Sequence, residues 1–435
     1  MKGSILGKFG IAEDDLKYTG LLSINTDDFS VLELFDCNLD AIPKVLYGYG
    51  NDGFLLTFID CQFNGKETSM PGTTLLRVAV RFIVRGKVFF SSTNANIDRF
   101  NFKSKEITSW MNAQNVNLKF DKAQAELQTV DVSSEEIKLK SKGTWNFIHS
   151  VEYKNNPNNL EYSFVKQTIC EYKSPDQIGL FQVLERISTL ANLFVVLRHS
   201  SVGIFNVNLF CADCRFELHF GDRNPINKAH YNSHQYAISS NDLNLSVIIN
   251  YVEELEEKRN DLLGSLSEMF RNAGGYPTES EFSLIIHAFE AYYPLTSQIQ
   301  SHGLNHNLKK YLDIIKKDDS IDKETRQKML TTLGTLKYLS LKEKLKNSVS
   351  EFRKTVDIDD HLKIGDISTF CKKIREIRTG ITHRGKIDYP LSEVFKCTRK
   401  LRIILFYMFL KESKSAKINL NELFERKKGW IYGFF

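Results

Sequence analysis

The 435-residue chain has few prolines and no uninterrupted run of 18 apolar residues, and both absences limit the class of protein to which it can belong. With 8 prolines and no long biased tract, it leaves little sequence for intrinsic disorder. The most apolar segment, residues 187–197, is too short for a bilayer and is flanked by Arg186 and Arg198. The first residues lack the pattern of a secretory signal peptide. We therefore expect a cytoplasmic protein that does not enter a membrane.

Other absences concern cofactors and covalent cross-links. The chain has no internal repeat and no glycine-rich phosphate loop of the GxxxxGK[ST] type. Its 7 cysteines, an odd number in a long chain, indicate reduced thiols and not a disulfide framework. A hydrophobic content of 42% and an aromatic content of 12% are those of a globular protein with substantial cores. A chain of this length is expected to form two or three domains.

Positive charge is concentrated in the C-terminal third of the chain. Residues 301–435 contain 30 lysines and arginines against 17 acidic residues, a net charge of +13. The first 300 residues contain 28 basic against 36 acidic residues, a net charge of −8. A basic region of this kind is typical of a domain that binds nucleic acid, and a lysine-rich solvated helical surface is the alternative.

The N-terminal part of the chain has the pattern of a β-rich domain. Residues 73–90 alternate between apolar side chains and a face that carries Arg77, Arg81 and Arg85, which predicts a half-buried strand. We therefore predict an α+β chain that begins with a β-sandwich or an open barrel. The three arginines face either solvent or bound RNA.

One long helix is predicted to pack on this sheet. Residues 174–199 have apolar side chains at helical spacing, and the Ser-Pro-Asp run at residues 174–176 is typical of a helix N-terminus. A further β-rich segment, residues 204–221, follows the helix.

Cys211, Cys214, His230 and His234 have the spacing Cys-x2-Cys-x15-His-x3-His, which lies in the range of structural zinc sites. Two thiolates and two imidazoles can close a tetrahedral shell around the metal and stabilise a loop with few apolar residues. His219 is an alternative ligand. The residues between the pairs do not have the pattern of a zinc-finger helix, and cysteines in a strand are commonly core residues, so a metal-free core is the competing interpretation.

From residue 241 onward the chain is predicted to be helical. In the helix that ends near residue 379, Ile367, Cys371 and Ile374 lie on one apolar face, and Arg378 continues that face. A guanidinium on an apolar face is costly unless it is paired or lies at a polar interface. His383 follows five residues later.

An arginine and a histidine together can cleave RNA without a metal. Arg378 would stabilise the charge on a phosphate, and His383 would move the proton of a ribose 2′-hydroxyl. The ordinary pKa of histidine suits proton transfer near neutral pH. A surface arginine followed by a helix-end histidine is also common, so the spacing alone leaves both interpretations open.

Three segments resemble the ApeA-like group of anti-phage HEPN proteins. They are LYGYGNDGFLLTFIDC at residues 46–61, FSLIIHAFEAYY at residues 282–293 and IRTGITHRG at residues 377–385. The last segment has the Arg-x(4–6)-His motif of HEPN domains. The resemblance implies a β-rich sensing or regulatory domain at residues 1–240 and an all-helical HEPN bundle at residues 241–435.

The resemblance also implies roles for single residues. Many HEPN proteins are metal-independent ribonucleases with an active site at a dimer interface, which makes Arg378 and His383 the catalytic residues and leaves catalysis without a cofactor. Glu290 matches a position where HEPN domains often carry an acidic residue near the catalytic arginine, and a surface carboxylate is the alternative. Thr379 follows the arginine where the family usually has a polar residue, most often asparagine.

Functions of different classes follow from these observations. The first is a homodimeric endoribonuclease of an abortive-infection defence system, regulated by a phage-encoded trigger or inhibitor. The second is a non-catalytic HEPN module that binds RNA or scaffolds a complex. A third is a zinc-stabilised protein that binds nucleic acid through its β region.

Overall fold

The computed structural model divides the chain into two compact units. The first contains residues 1–194 and 201–234, and the second contains residues 195–200 and 235–435. The domain boundary expected after residue 240 stays a prediction. The structure describes residues 3–25, 29–39, 41–69, 73–90, 96–111, 116–121, 124–129, 134–156, 161–220, 238–258, 262–271, 279–296, 306–318, 320–335, 339–356, 364–384 and 388–426.

Six antiparallel strands close a barrel at the start of the first unit. Their order is β6-β3-β2-β1-β4-β5, and β5 pairs with β6 to complete the ring. Side chains alternate between the two faces of each strand, and the inward ones form a buried core that includes Leu22, Leu32, Phe58 and Val78. The strands are β1 (Gly3–Gly10), β2 (Tyr18–Ile24), β3 (Ser30–Phe35), β4 (Val45–Gly50), β5 (Leu55–Ser69) and β6 (Thr73–Gly86).

A longer row of strands extends the sheet from β6. Its order away from β6 is β14-β13-β7-β12-β11-β10, while β8 and β9 pair with each other. The elements after the barrel are β7 (Ile97–Lys103), α1 (Lys105–Met111), β8 (Val116–Asp121), β9 (Gln124–Thr129), β10 (Ser134–Lys138), β11 (Thr144–Asn156), β12 (Glu161–Ile178), α2 (Leu180–Arg198), β13 (Phe205–Cys211) and β14 (Cys214–Phe220).

Helix α2 packs on this sheet, as its apolar spacing predicts. Phe194 of α2 contacts the rings of Trp110 in α1 and Phe147 in β11. Among the described helices, α2 alone is long and apolar enough for a membrane span, so the expectation from residues 187–197 that this segment is too short does not hold for the whole helix. Half of its most apolar stretch is buried. Such burial is compatible with the core helix of a soluble protein.

The predicted start of α2 was wrong. Residues 174–176 belong to β12, which continues to Ile178, and the helix begins at Leu180. The pairing of β12 with β7 is irregular between Lys173 and Ile178. Because Pro175 lies in this irregular stretch, its missing N–H does not interrupt a regular ladder, and the proline is tolerated in a strand.

The three arginines of β6 form ion pairs with carboxylates. Neutralisation of each guanidinium by a neighbouring strand favours a solvated face over an RNA-binding face. The pairs are Arg77 with Glu33 (3.0 Å) and Glu67 (2.5 Å), Arg81 with Asp60 (3.4 Å), and Arg85 with Asp52 (3.0 Å) and Glu217 (2.8 Å).

The second unit is helical, and a long buried helix, α10, lies at its centre. The predicted core stripe of Val394, Leu401, Leu405 and Met408 is buried. Helices α3, α5 and α8 pack on α10, and α9 packs on α5 and α8. The helices are α3 (Leu245–Lys258), α4 (Leu262–Arg271), α5 (Glu279–Thr296), α6 (His306–Lys317), α7 (Lys323–Thr335), α8 (Leu341–Thr355), α9 (Ile367–Thr379), α10 (Leu391–Ser413) and α11 (Leu420–Arg426), with a π-helical turn at Gly380–Arg384.

The barrel core requires glycine at position 48. A Cβ atom there would lie 2.5 Å from Cδ1 of Phe9, far inside van der Waals contact. Phe9 is fully buried in the barrel, so its ring has no free space into which it could move.

We predict that Gly48→Ala lowers the free energy of unfolding by about 1–3 kcal/mol, because the added methyl group overpacks the core. Gly3→Ala is the matched control, since a Cβ at Gly3 would meet nothing within 4 Å; its effect should stay within about 0.5 kcal/mol. Urea unfolding of both variants measures the difference. Equal midpoints for the two would contradict this description of the barrel core.

Candidate active site

Arg378 lies at the end of a well-anchored helix. The Asp366 side chain caps α9 by accepting a hydrogen bond from the Thr369 N–H at 2.7 Å. Cys371 and Ile374 are fully buried on the predicted apolar face. Because the bundle holds this face, the guanidinium of Arg378 reaches the edge of the core with 37% of its side chain exposed.

Arg378 forms an ion pair with Glu290 of α5. Its Nη2 donates to Oε2 of Glu290 at 2.9 Å, and the glutamate side chain is 27% exposed. A guanidinium has five N–H donors, so this bond leaves others available for a phosphate. The structure thus brings together two residues that are 88 positions apart in the chain.

The helix changes its winding directly after Arg378. The Gly380 N–H is shared between the carbonyl oxygens of Glu376 and Ile377. The hydroxyls of Thr379 and Thr382 donate to the carbonyl oxygens four residues earlier, at 2.9 and 2.8 Å. Such back-bonds compete with the helical ladder and favour a bend, which is consistent with the wider turn that begins at Gly380.

His383 belongs to the π-helical turn, and its side chain lies outside the described residues. In a π-helical turn, hydrogen bonds join residues five apart, whereas residues five apart in an α-helix diverge by about 140°. Arg378 precedes this turn by two residues, so the wider winding lies between the arginine and the histidine position. Single turns of this kind are frequent at functional sites.

After the motif, side-chain contacts hold the residues around the start of α10 against α9. The Tyr389 hydroxyl donates to Oε2 of Glu376 at 2.5 Å, which lowers the pKa of Glu376 and raises the pKa of Tyr389 to about 12. Lys373 donates to Glu393 at 2.9 Å and lies over the Tyr389 ring. Bonds from Lys373 and Lys396 lower the pKa of Glu393 to about 2.

These contacts were not predicted from the sequence, although Tyr389 follows the motif closely. They tie α9 to the start of α10 and so fix both ends of the segment that carries His383. A lone tyrosine before a proline gives no pattern that would reveal its partner on another helix.

The two cysteines of the predicted zinc site face each other in a hairpin. Cys211 ends β13, Cys214 begins β14, and the two are cross-strand partners around a two-residue turn. Directly opposed residues in a sheet point to the same side, so the hairpin can present both thiols to one ligand. Burial, with the nearby Asp98 and Cys214, raises the pKa of Cys211 to about 11.

The remaining ligands of the predicted zinc site are histidines. His230 and His234 lie outside the described residues. His219 is five residues along β14 from Cys214, a distance of about 16 Å, which rules it out as a ligand shared with both cysteines. In the described part of the chain, no three histidine, cysteine or acidic residues are grouped to hold a metal ion.

Two family models match the chain. The ApeA N-terminal domain 1 matches residues 4–251, more than half of the chain, and the Apea-like HEPN domain matches residues 284–417. The chain belongs to the ApeA family of HEPN proteins. Neither the curated proteins nor the solved structures gave a match.

Family membership confirms the predicted architecture of a β-rich N-terminal region followed by a helical region with a HEPN domain. It also relates the chain to anti-phage proteins and to a group of ribonuclease-related domains. The HEPN match contains Glu290, Arg378, Thr379 and His383, whose individual roles stay predictions.

We predict that the ion pair of the HEPN domain contributes little to folding, because both side chains are partly exposed. A double-mutant cycle with Glu290→Gln and Arg378→Gln should give a coupling free energy of about 0.2–1 kcal/mol in urea unfolding. A coupling above about 3 kcal/mol would indicate a buried structural pair instead. If each single variant also keeps a free energy of unfolding close to that of the wild type in the same measurement, a loss of its activity cannot be attributed to unfolding.

Proposed function

We propose that this ApeA-family protein is a metal-independent endoribonuclease of an abortive-infection defence system. The observation that carries the proposal is the Arg378–Glu290 ion pair at the end of α9, followed after five residues by His383 in a π-helical turn. An exposed, oriented guanidinium beside a histidine position supplies the two groups that phosphodiester transfer needs. The basic C-terminal third of the chain supports an RNA substrate.

Each residue has a distinct part in the proposed reaction. Arg378 binds the scissile phosphate and stabilises the charge that develops on its oxygens. His383 accepts the proton of the ribose 2′-hydroxyl, whose oxygen then attacks the phosphorus. The bond from phosphorus to the 5′-oxygen breaks, and that oxygen takes up a proton. The products are a 2′,3′-cyclic phosphate and a 5′-hydroxyl.

Glu290 and Thr379 act on the arginine side of the site. Glu290 orients the guanidinium through a charge-assisted hydrogen bond and keeps its other N–H groups directed away from α5. The Thr379 hydroxyl donates to the Arg375 carbonyl, so its remaining lone pairs can accept a hydrogen bond but its proton is already engaged. Thr379 therefore offers fewer hydrogen-bond donors to a substrate than the asparagine that is more common at this position in the family.

Two copies of the chain would supply the proton donor and acceptor. One histidine cannot accept one proton and donate another at the same moment, so two Arg–His sets facing across a two-fold axis complete the site. We propose a cytoplasmic homodimer that contacts no membrane. Its N-terminal β-rich domain would sense a phage-encoded trigger or bind a phage-encoded inhibitor.

We predict that the purified protein cleaves RNA in the presence of EDTA and that Arg378→Ala and His383→Ala each lose at least about 100-fold in rate. Gel analysis of total RNA and tRNA measures cleavage, with and without lysate from phage-infected cells as a source of the trigger. Arg426→Ala and His149→Ala are the matched controls. Arg426 pairs with Glu422 in α11, and His149 contacts Thr168 in the β-rich domain.

The outcomes separate the two functions. Cleavage that survives EDTA and disappears in both site variants supports the ribonuclease. Cleavage that both variants retain would overturn the assignment of the site. RNA binding without cleavage under every condition would favour the alternative, a non-catalytic HEPN module that binds RNA or scaffolds a complex.

We also propose a structural zinc ion held by Cys211, Cys214, His230 and His234, on the basis of the ligand spacing and the paired cysteines of the hairpin. Metal analysis should find about one zinc per chain, and Cys211→Ser should lose it together with part of the thermal stability. Cys37→Ala, which removes a buried thiol of the barrel region, is the control for thiol loss. Metal-free wild-type protein would overturn this proposal.

A further inference from the structure

Helices α8 and α9 carry an excess of positive charge beside the candidate active site. Helix α8 has five basic residues against two acidic ones, and α9 has four against one. On α9, Lys372 and Arg375 precede Arg378 at intervals of three residues, which places all three along one side of the helix. Lys372 and Arg378 are separated by about 9 Å along the helix axis.

Helix α8 adds two cations near α9. The Arg353 guanidinium at the end of α8 donates to the Gly365 carbonyl just before α9, so the two packed helices run in opposite directions. Lys342 and Lys346 lie one helical turn apart on α8, which packs on α9, and their charges lower the pKa of the Cys371 thiol of α9 against the larger effect of burial. We call Lys342, Lys346, Lys372 and Arg375 the basic strip.

The carboxylates near the basic strip are already engaged. Glu343 closes the capping box of α8 with Ser340, and Asp366 caps α9. Glu376 accepts the Tyr389 hydroxyl and lies 3.8 Å from Lys372, whose side chain is 61% exposed. Within the part of the chain that the structure describes, no carboxylate forms an ion pair with Arg375, Lys342 or Lys346.

We propose that the basic strip binds the phosphate backbone of single-stranded RNA on one side of the cleaved bond, which rests on the proposed ribonuclease function. Lys346, Lys372 and Arg375 are exposed. Cations of this kind are suited to phosphates, and the alignment of Lys372 and Arg375 with Arg378 directs the strand toward the reacting position. Contacts of this kind fix the register of the strand and read no base sequence. The strip therefore determines affinity and salt dependence but not the cleavage sequence.

The test is a salt titration of RNA binding. The protein carries His383→Ala so that the RNA is not cut, and the probe is a fluorescein-labelled single-stranded RNA of about 12 nucleotides. In this background, Lys342→Gln, Lys346→Gln and Arg375→Gln together should raise Kd roughly tenfold and reduce the slope of log K against log salt by about 2. Fluorescence anisotropy measures both quantities.

The matched control removes charge elsewhere in the helical unit. Lys258→Gln with Lys323→Gln changes exposed lysines at the end of α3 and the start of α7 and should leave the slope unchanged. An unchanged slope in the strip variant, or an equal loss in the control, overturns the proposal. With His383 restored, the strip variant should raise KM and leave kcat unchanged.

Different results would overturn the ribonuclease proposal and the proposal that the basic strip binds RNA. Wild-type cleavage in EDTA that depends on Arg378 upholds the ribonuclease whatever the strip variants do. Suppose that this cleavage is present and that the strip variants match their parent proteins in Kd, salt slope and KM. Then only the proposal that the basic strip binds RNA is overturned. A loss of kcat without a change in KM would also contradict it, because that pattern belongs to the chemical step.

Discussion

The burial of α10 is the constraint on which the helical unit depends. This helix is covered along most of its length, so its neighbours have to match it with apolar faces of their own. Helices α5 and α8 pack on it directly, and α9 packs in turn on those two helices. Glu290 and Arg378 therefore meet because α9 packs on α5 and α8, which α10 holds in place, and not because the ion pair itself holds the helices together.

A comparable constraint organises the β-rich unit. One edge of β6 pairs with β5, while its other edge pairs first with β3 and then with β14. The strand thus closes the barrel and also begins the open row of strands that leads to β12. The outward arginines of β6 connect the barrel with the open row of strands, because their carboxylate partners lie in both. Glu33 belongs to β3 of the barrel, and Glu217 belongs to β14 of the open row.

The sequence predicts features that depend on local periodicity better than features that depend on distant contacts. The apolar face of α9 and the core stripe of α10 follow from helical spacing and are buried as expected. The start of α2 was wrong because a Ser-Pro-Asp run can cap a helix or lie in a strand irregularity, and only the pairing of β12 with β7 decides between them. The bond between Tyr389 and Glu376 could not be predicted at all, since it depends on how two helices approach each other.

The π-helical turn at Gly380–Arg384 has a consequence for how the motif can vary. A π-helical turn holds one residue more than an α-helical turn, so it behaves as an insertion that the helix has absorbed locally. Loss of one residue there would restore an ordinary helix without displacing the buried faces of α9 or α10. The buried faces of α9 and α10 lie on either side of the turn, so the packing of the bundle constrains the length of this segment less than it constrains the helices themselves.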